Sequence, residues 1–149
     1  MNWTGPIELE RLLDRPLANS KQRPPTSPGI YVVSTKPWAS RGPTSDGSIL
    51  YVGQGNVLRR RIGQLVAEML GFTKDKASGG GLLHSGGHHL WHYCLAEETE
   101  PTKLFLGWSV VRGCLNCAEA KSARKLGPKL SRATPRCRKH PTKERRSQS

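Results

Sequence analysis

Acidic side chains are few in this chain, and toward its end they nearly vanish. Residues 101–149 hold 13 Lys/Arg against only Glu119 and Glu144, whereas residues 1–100 hold 11 against 9. Aromatic residues make up 6% and hydrophobic residues 35% of the 149 positions, which excludes a large core. No apolar run approaches the roughly 20 residues of a membrane span, and no signal-peptide-like apolar segment opens the chain. A soluble, intracellular, cytoplasmic protein is therefore expected. In that setting Cys94, Cys114, Cys117 and Cys137 do not read as a disulfide framework.

What is present is positive charge, concentrated in the last third. A net charge of +13 arranged as a basic segment beside a nearly neutral body points to a polyanionic partner, most often nucleic acid. The plain alternative is a solubilising tail or a ribosome-associated extension.

The length suits one domain. Thr4-Gly5-Pro6-Ile7-Glu8 reads as a helix start, because proline suits the first helical position, and Ile7, Leu9, Leu12 and Leu13 can share a face. Pro16 should end that helix, and residues 18–28 read as an extended linker. The boundaries expected are an N-terminal helix and linker over 1–24, a domain over 25–134, and a basic disordered tail over 135–149.

Within the domain, strands are expected over about Gly29–Ser34 and Ser48–Val52, joined by a long loop rich in Pro, Gly, Ser and Thr. Apolar residues recur at helical spacing from Val57 to Leu70, and Gly71 should close that helix. Residues 73–87 read mostly as loop, and Trp91–Leu95 and Leu104–Val111 as further strands. Asn116 should cap a final helix from Cys117 to about Leu126, stopped by Gly127-Pro128. The sum is an α+β domain, a small central and mostly antiparallel sheet flanked by helices.

Two apolar strings carry the functional signal. Pro28-Gly29-Ile30-Tyr31-Val32-Val33 and Ile49-Leu50-Tyr51-Val52-Gly53 each place a tyrosine in a strand beside glycine, and Arg61 follows ten residues after Tyr51. Together they resemble the GIY-YIG nuclease family: Gly29-Ile30-Tyr31 matches its first motif, Tyr51-Val52-Gly53 its second, and Arg61 stands at its catalytic-arginine spacing. The resemblance spans roughly residues 25–131. It implies a metal-dependent endonuclease that hydrolyses DNA phosphodiester bonds, with Tyr31 as base, Tyr51 as its positioning partner, and Glu119 as ligand of Mg²⁺ or Mn²⁺.

The chemistry asks for such groups. Hydrolysis needs a base for water, positive charge for the crowded transition state, and help to the leaving oxygen. A phenol serves as base only if nearby positive charge lowers a pKa near 10. A guanidinium fork at Arg61 suits phosphate. Arg59, Arg60, Lys129 and Arg132 are expected to bind nucleic acid as well. Each residue also has an ordinary role: tyrosine packs well in strands, and helical Arg or Glu is commonly solvated.

Two departures from the family pattern stand out. Leu65 occupies the place where the family often has a histidine one turn past the arginine, and Ser131 stands where asparagine is expected in Pro128-Lys129-Leu130-Ser131. The glycine-rich segment 79–92 offers His84, His88, His89 and His92 as substitutes, with His84 favoured, although exposed loop histidines are the plain alternative.

Cys114-x-x-Cys117 and Cys137-x-x-His140 have the ligand types and paired spacing of a structural zinc site, set against four ordinary reduced thiols. A fold-retaining nucleic-acid-binding protein without cleavage, or a zinc-stabilised RNA-binding module, are the competing functions.

Overall fold

A computed structural model describes residues 1–13, 23–72, 84–130, 137 and 139–140. Its elements are β1 (Thr4–Glu8), α1 (Leu9–Leu13), β2 (Gly29–Ser34), β3 (Ile49–Gly55), α2 (Leu58–Met69), α3 (Ser85–Ala96), a short 3₁₀ turn (Pro101–Lys103), β4 (Phe105–Val110) and α4 (Leu115–Leu126). The four strands form one antiparallel sheet in the order β1-β4-β2-β3, flanked by helices. The fold is α+β.

Every residue of β2 is buried, because helices cover both faces of the sheet at this strand. On one face Tyr31, Val33, Leu50, Leu106 and Trp108 meet Leu58, Ile62, Leu65 and Met69 of α2, and Leu90 and Cys94 of α3. Each fully buried aliphatic side chain there contributes on the order of 1.5–3 kcal/mol. The opposite face is smaller: Val32, Ile49 and Val52 pack with Leu126 of α4, and Trp3 and Trp38 close against them. After α4 the Lys129 and Leu130 amides donate to the Ile49 and Leu50 carbonyls, which covers the outer edge of β3.

Three elements differ from the sequence expectation. Residues 4–8 are an edge strand, not the first turn of a helix. Gly5 adopts φ +105°, outside the helical range, and the register with β4 shifts between Thr4 and Ile7. A proline without an amide proton is tolerated at such an irregular sheet edge.

The expected strand at Trp91–Leu95 lies inside α3, and residues 85–87 belong to that helix rather than to a loop. Gly86, Gly87, Leu90 and Cys94 are its buried residues, a helical stripe disguised by two glycines that count as breakers. A Cβ on Gly87 would lie 2.7 Å from the Leu65 carbonyl oxygen and 2.6 Å from Glu68 Cβ, so Gly87 lets α3 close onto α2. Finally, α4 begins at Leu115 with Cys114, not Asn116, at the cap position. Elsewhere Gly71 (φ +82°) and Gly127 (φ +59°) follow the ends of α2 and α4 as expected.

The Pro16 stop, the first part of the linker, the Gly79–Gly81 run, Arg132 and residues 141–149 lie outside the described residues. Among the described residues no helix is long and apolar enough to cross a membrane.

Candidate active site

Strand register brings the two tyrosines together. Tyr31 pairs with Gly53 and Val33 with Tyr51, so Tyr31 and Tyr51 are diagonal neighbours on one face. Their ring centroids stand 6.0 Å apart. The glycines around them are spaces these side chains fill. A Cβ on Gly53 would collide with the Tyr31 hydroxyl, and one on Gly86 would collide with Tyr51 Cζ. A Cβ on Gly55 would lie 2.7 Å from Arg61 Cβ.

His84 caps α3 and completes the cluster. Its Nδ1 accepts the Gly87 backbone N–H at 3.1 Å, while Nε2 stands 2.6 Å from the Tyr31 hydroxyl. Burial, helped by the Arg61 charge, lowers its pKa to about 4, so the ring is neutral at neutral pH. Its tautomer is assigned from these partners. Nδ1 is occupied as an acceptor, so the proton sits on Nε2 and is donated to the Tyr31 oxygen.

The Arg61 charge is felt across the whole group. It pulls the Tyr31, Tyr51 and Glu119 pKa values downward, against stronger opposing causes. Burial raises Tyr31 well above its ordinary value, with Tyr51 adding to the effect. Burial and then the Glu119 charge raise Tyr51. Half-buried Glu119 is raised by desolvation and drawn back by Gln54 and Arg61. The Arg61 guanidinium donates to Gln64 Oε1 at 3.1 Å.

Thus residues from β2, β3, α2, α3 and α4 meet at one place. Arg59 and Arg60 are exposed on α2, and Arg59 Nε donates to the Pro24 carbonyl at 2.9 Å. Lys129 is exposed beside β3. His88 and His92 pair with each other one turn apart on α3, away from the tyrosines, with Nε2 atoms 3.2 Å apart.

Sequence reasoning missed Glu68 and the link between Gln54 and Asn116, which it read only as a cap. Gln54 Nε2 donates to Asn116 Oδ1 at 2.7 Å and joins β3 to α4. Glu68 is fully buried on α2, and its charge raises the His84 pKa against the other two influences. The signal for Glu68 was available: it sits in the apolar phase of the helix, between Leu65 and Met69.

Behind α4 the Cys114, Cys117, Cys137 and His140 ligand atoms all lie within 4.8 Å of one another, close enough to bind a metal ion. The Cys114 and Cys137 sulfurs are 3.7 Å apart, and Cys137 Sγ is 3.5 Å from His140 Nδ1. His140 draws the Cys137 thiol down to about 6, while burial and the neighbouring thiols push Cys117 up to about 12. Sulfurs so crowded resist joint ionisation until a cation joins them. The start of the expected tail is therefore held against α4 at Cys137, which is buried.

Comparisons with models of known families, with curated proteins and with solved structures return no match.

Proposed function

We propose that this chain is a GIY-YIG-type, metal-dependent endonuclease acting on DNA phosphodiester bonds. The observation that carries the reading is the convergence of Tyr31, Tyr51, Arg61, His84 and Glu119 from five separate elements, with Tyr31 bonded to a neutral histidine. Burial without a role would leave few reasons to collect two phenols, a guanidinium, an imidazole and a carboxylate at one place.

Tyr31 enters the step as phenolate and takes a proton from the attacking water, whose oxygen then bonds to phosphorus as the leaving oxygen departs. His84 Nε2–H donates to the Tyr31 oxygen and stabilises its anion. Tyr51 orients the base, and Arg61 holds the phosphate oxygens. Glu119 fits as holder of Mg²⁺ or Mn²⁺. It is a half-buried carboxylate beside the cluster, and Mg²⁺ is commonly held by one or two carboxylates plus phosphate and water. When bound, that ion supplies charge stabilisation at the leaving oxygen. Arg59, Arg60, Lys129, Arg132 and the basic tail bind the phosphate backbone of DNA.

In the same reading the sulfur cluster takes Zn²⁺, since thiolate and imidazole ligands suit zinc and not magnesium. Ligand chemistry sorts the two metals.

One observation favours a DNA-binding protein that does not cleave: burial holds the Tyr31 phenol protonated across the neutral range. Incubation of purified protein with DNA in Mg²⁺, Mn²⁺ or EDTA separates the two. Cleavage that EDTA stops supports the nuclease, and tight binding with intact DNA supports the alternative.

A further inference from the structure

The N-terminal half of α4 is weakly held by ordinary means. Its buried residues, Ala120, Ser122, Ala123 and Leu126, begin only at the sixth of its twelve residues, and its first turn carries neither an acidic residue nor a side-chain cap. Helices normally fasten that end with a capping side chain or an apolar anchor. Here two other attachments stand on opposite sides. At 100° per residue, Asn116 and Glu119 share one face, and Asn116 is tied to Gln54 of β3. Cys114 and Cys117 share the reverse face, with Cys137 and His140 brought to them.

Two edges of the cluster on that reverse face match those of a closed metal site. With Zn–S near 2.3 Å and Zn–N near 2.0–2.1 Å, a tetrahedron has S···S edges of about 3.8 Å and S···N edges of about 3.6 Å. The observed Cys114–Cys137 and Cys137–His140 separations are 3.7 and 3.5 Å. Four protein ligands leave no open position for substrate, which marks a structural ion.

We infer that Zn²⁺ at Cys114, Cys117, Cys137 and His140 acts as the missing N-terminal fastening of α4, so that its occupancy fixes the helical turns bearing Glu119. This rests on the zinc reading of the cluster and extends it to control of the nuclease site. The ion bridges the helix start to Cys137 and His140, and its binding energy replaces the absent cap. Zinc loss frees the first turns of α4 while its last turns, anchored by Ser122, Ala123 and Leu126, stay on the sheet.

The test uses the full chain. Zinc content is measured by atomic emission on protein purified without added metal, then after removal by 1,10-phenanthroline and in Cys137→Ser and His140→Ala. Amide exchange is followed over residues 115–126 in each form. One zinc per chain is expected. Its removal, or either substitution, should speed exchange at 118–121, whose carbonyl partners lie on 114–117, about tenfold or more and leave 124–126 and β2 protected. The apparent Mg²⁺ requirement for DNA cleavage should rise in parallel, and Cys137→His, which keeps a zinc ligand, should restore protection. A chain with no bound zinc overturns the metal assignment. Zinc bound with exchange at 118–121 indifferent to its removal overturns the fastening role alone. Zinc content and amide exchange are both read without cleavage, so an inactive nuclease leaves both results interpretable.

Discussion

Tyr31 and His84 stand 53 residues apart in the chain, yet the phenol oxygen and the imidazole Nε2 are separated by 2.6 Å. His84 serves two partners at once, accepting the Gly87 amide at Nδ1 and donating to Tyr31 from Nε2. Asparagine mimics the Nδ1 position of histidine and lacks the Nε2 position. His84→Asn should therefore keep the cap on α3 while lowering DNA cleavage by about 10²-fold or more, the scale for loss of a group assisting proton transfer. Thermal melts and single-turnover rates check both halves. Equal cleavage in His84→Asn would show the histidine to be only a cap.

The same histidine sets an acid limit on stability. Its pKa falls from 6.5 to about 4 on folding, so the unfolded chain binds the proton first. Its contribution is complete above pH about 6.5 and is lost as pH falls toward 4, by about 2–3 kcal/mol between pH 7 and 4.5. Urea unfolding at the two pH values should register that loss, and His84→Asn should remove most of it.

The tyrosines, the arginine and α2 were legible in the sequence because apolar periodicity and motif spacing are local. β2 matches its expected bounds, and α2 runs within a residue of them. The strand nature of Thr4–Glu8 was hidden because it depends on pairing with β4, a hundred residues on. α3 was hidden because its buried stripe is partly glycine, whose value is the room left for Tyr51, Leu65 and Glu68. His84 was found by residue type and its geometry was not. Glu68 was overlooked, although a carboxylate in an apolar phase is visible by eye. The cysteine and histidine spacing already held the ligand cluster and its tie between the start of the tail and α4.

Two glycine substitutions should change stability in opposite directions. A Cβ on Gly63 of α2 would meet nothing within 4 Å, so Gly63→Ala should stabilise by about 0.5–1 kcal/mol through helix propensity. A Cβ on Gly87 would meet the Leu65 carbonyl and Glu68 Cβ below 3 Å, so Gly87→Ala should destabilise by about 1–3 kcal/mol despite the same propensity gain. Denaturant unfolding of both variants measures the signs.

The basic end of the chain should bind DNA without reading sequence. Residues 141–149 carry Lys143, Arg145 and Arg146 against Glu144. Their removal should weaken DNA binding and flatten its salt dependence, by about 0.9 in the log–log slope for each phosphate no longer neutralised. An unchanged slope after truncation would assign the tail to something other than DNA.

The most direct test of the proposed chemistry is single-turnover nicking of supercoiled plasmid in Mg²⁺ by the unaltered chain and by Tyr31→Phe, across pH 6.5 to 9.5. Burial keeps the Tyr31 phenol protonated there, so the base form grows with pH, and the rate should climb up to about tenfold per pH unit. Tyr31→Phe should lose cleavage by about 10³-fold while retaining its fold and DNA affinity, with Arg61→Ala and Glu119→Ala similar and double variants little worse. A rate indifferent to pH, with Tyr31→Phe as active as the parent chain, would contradict the role of Tyr31 as base.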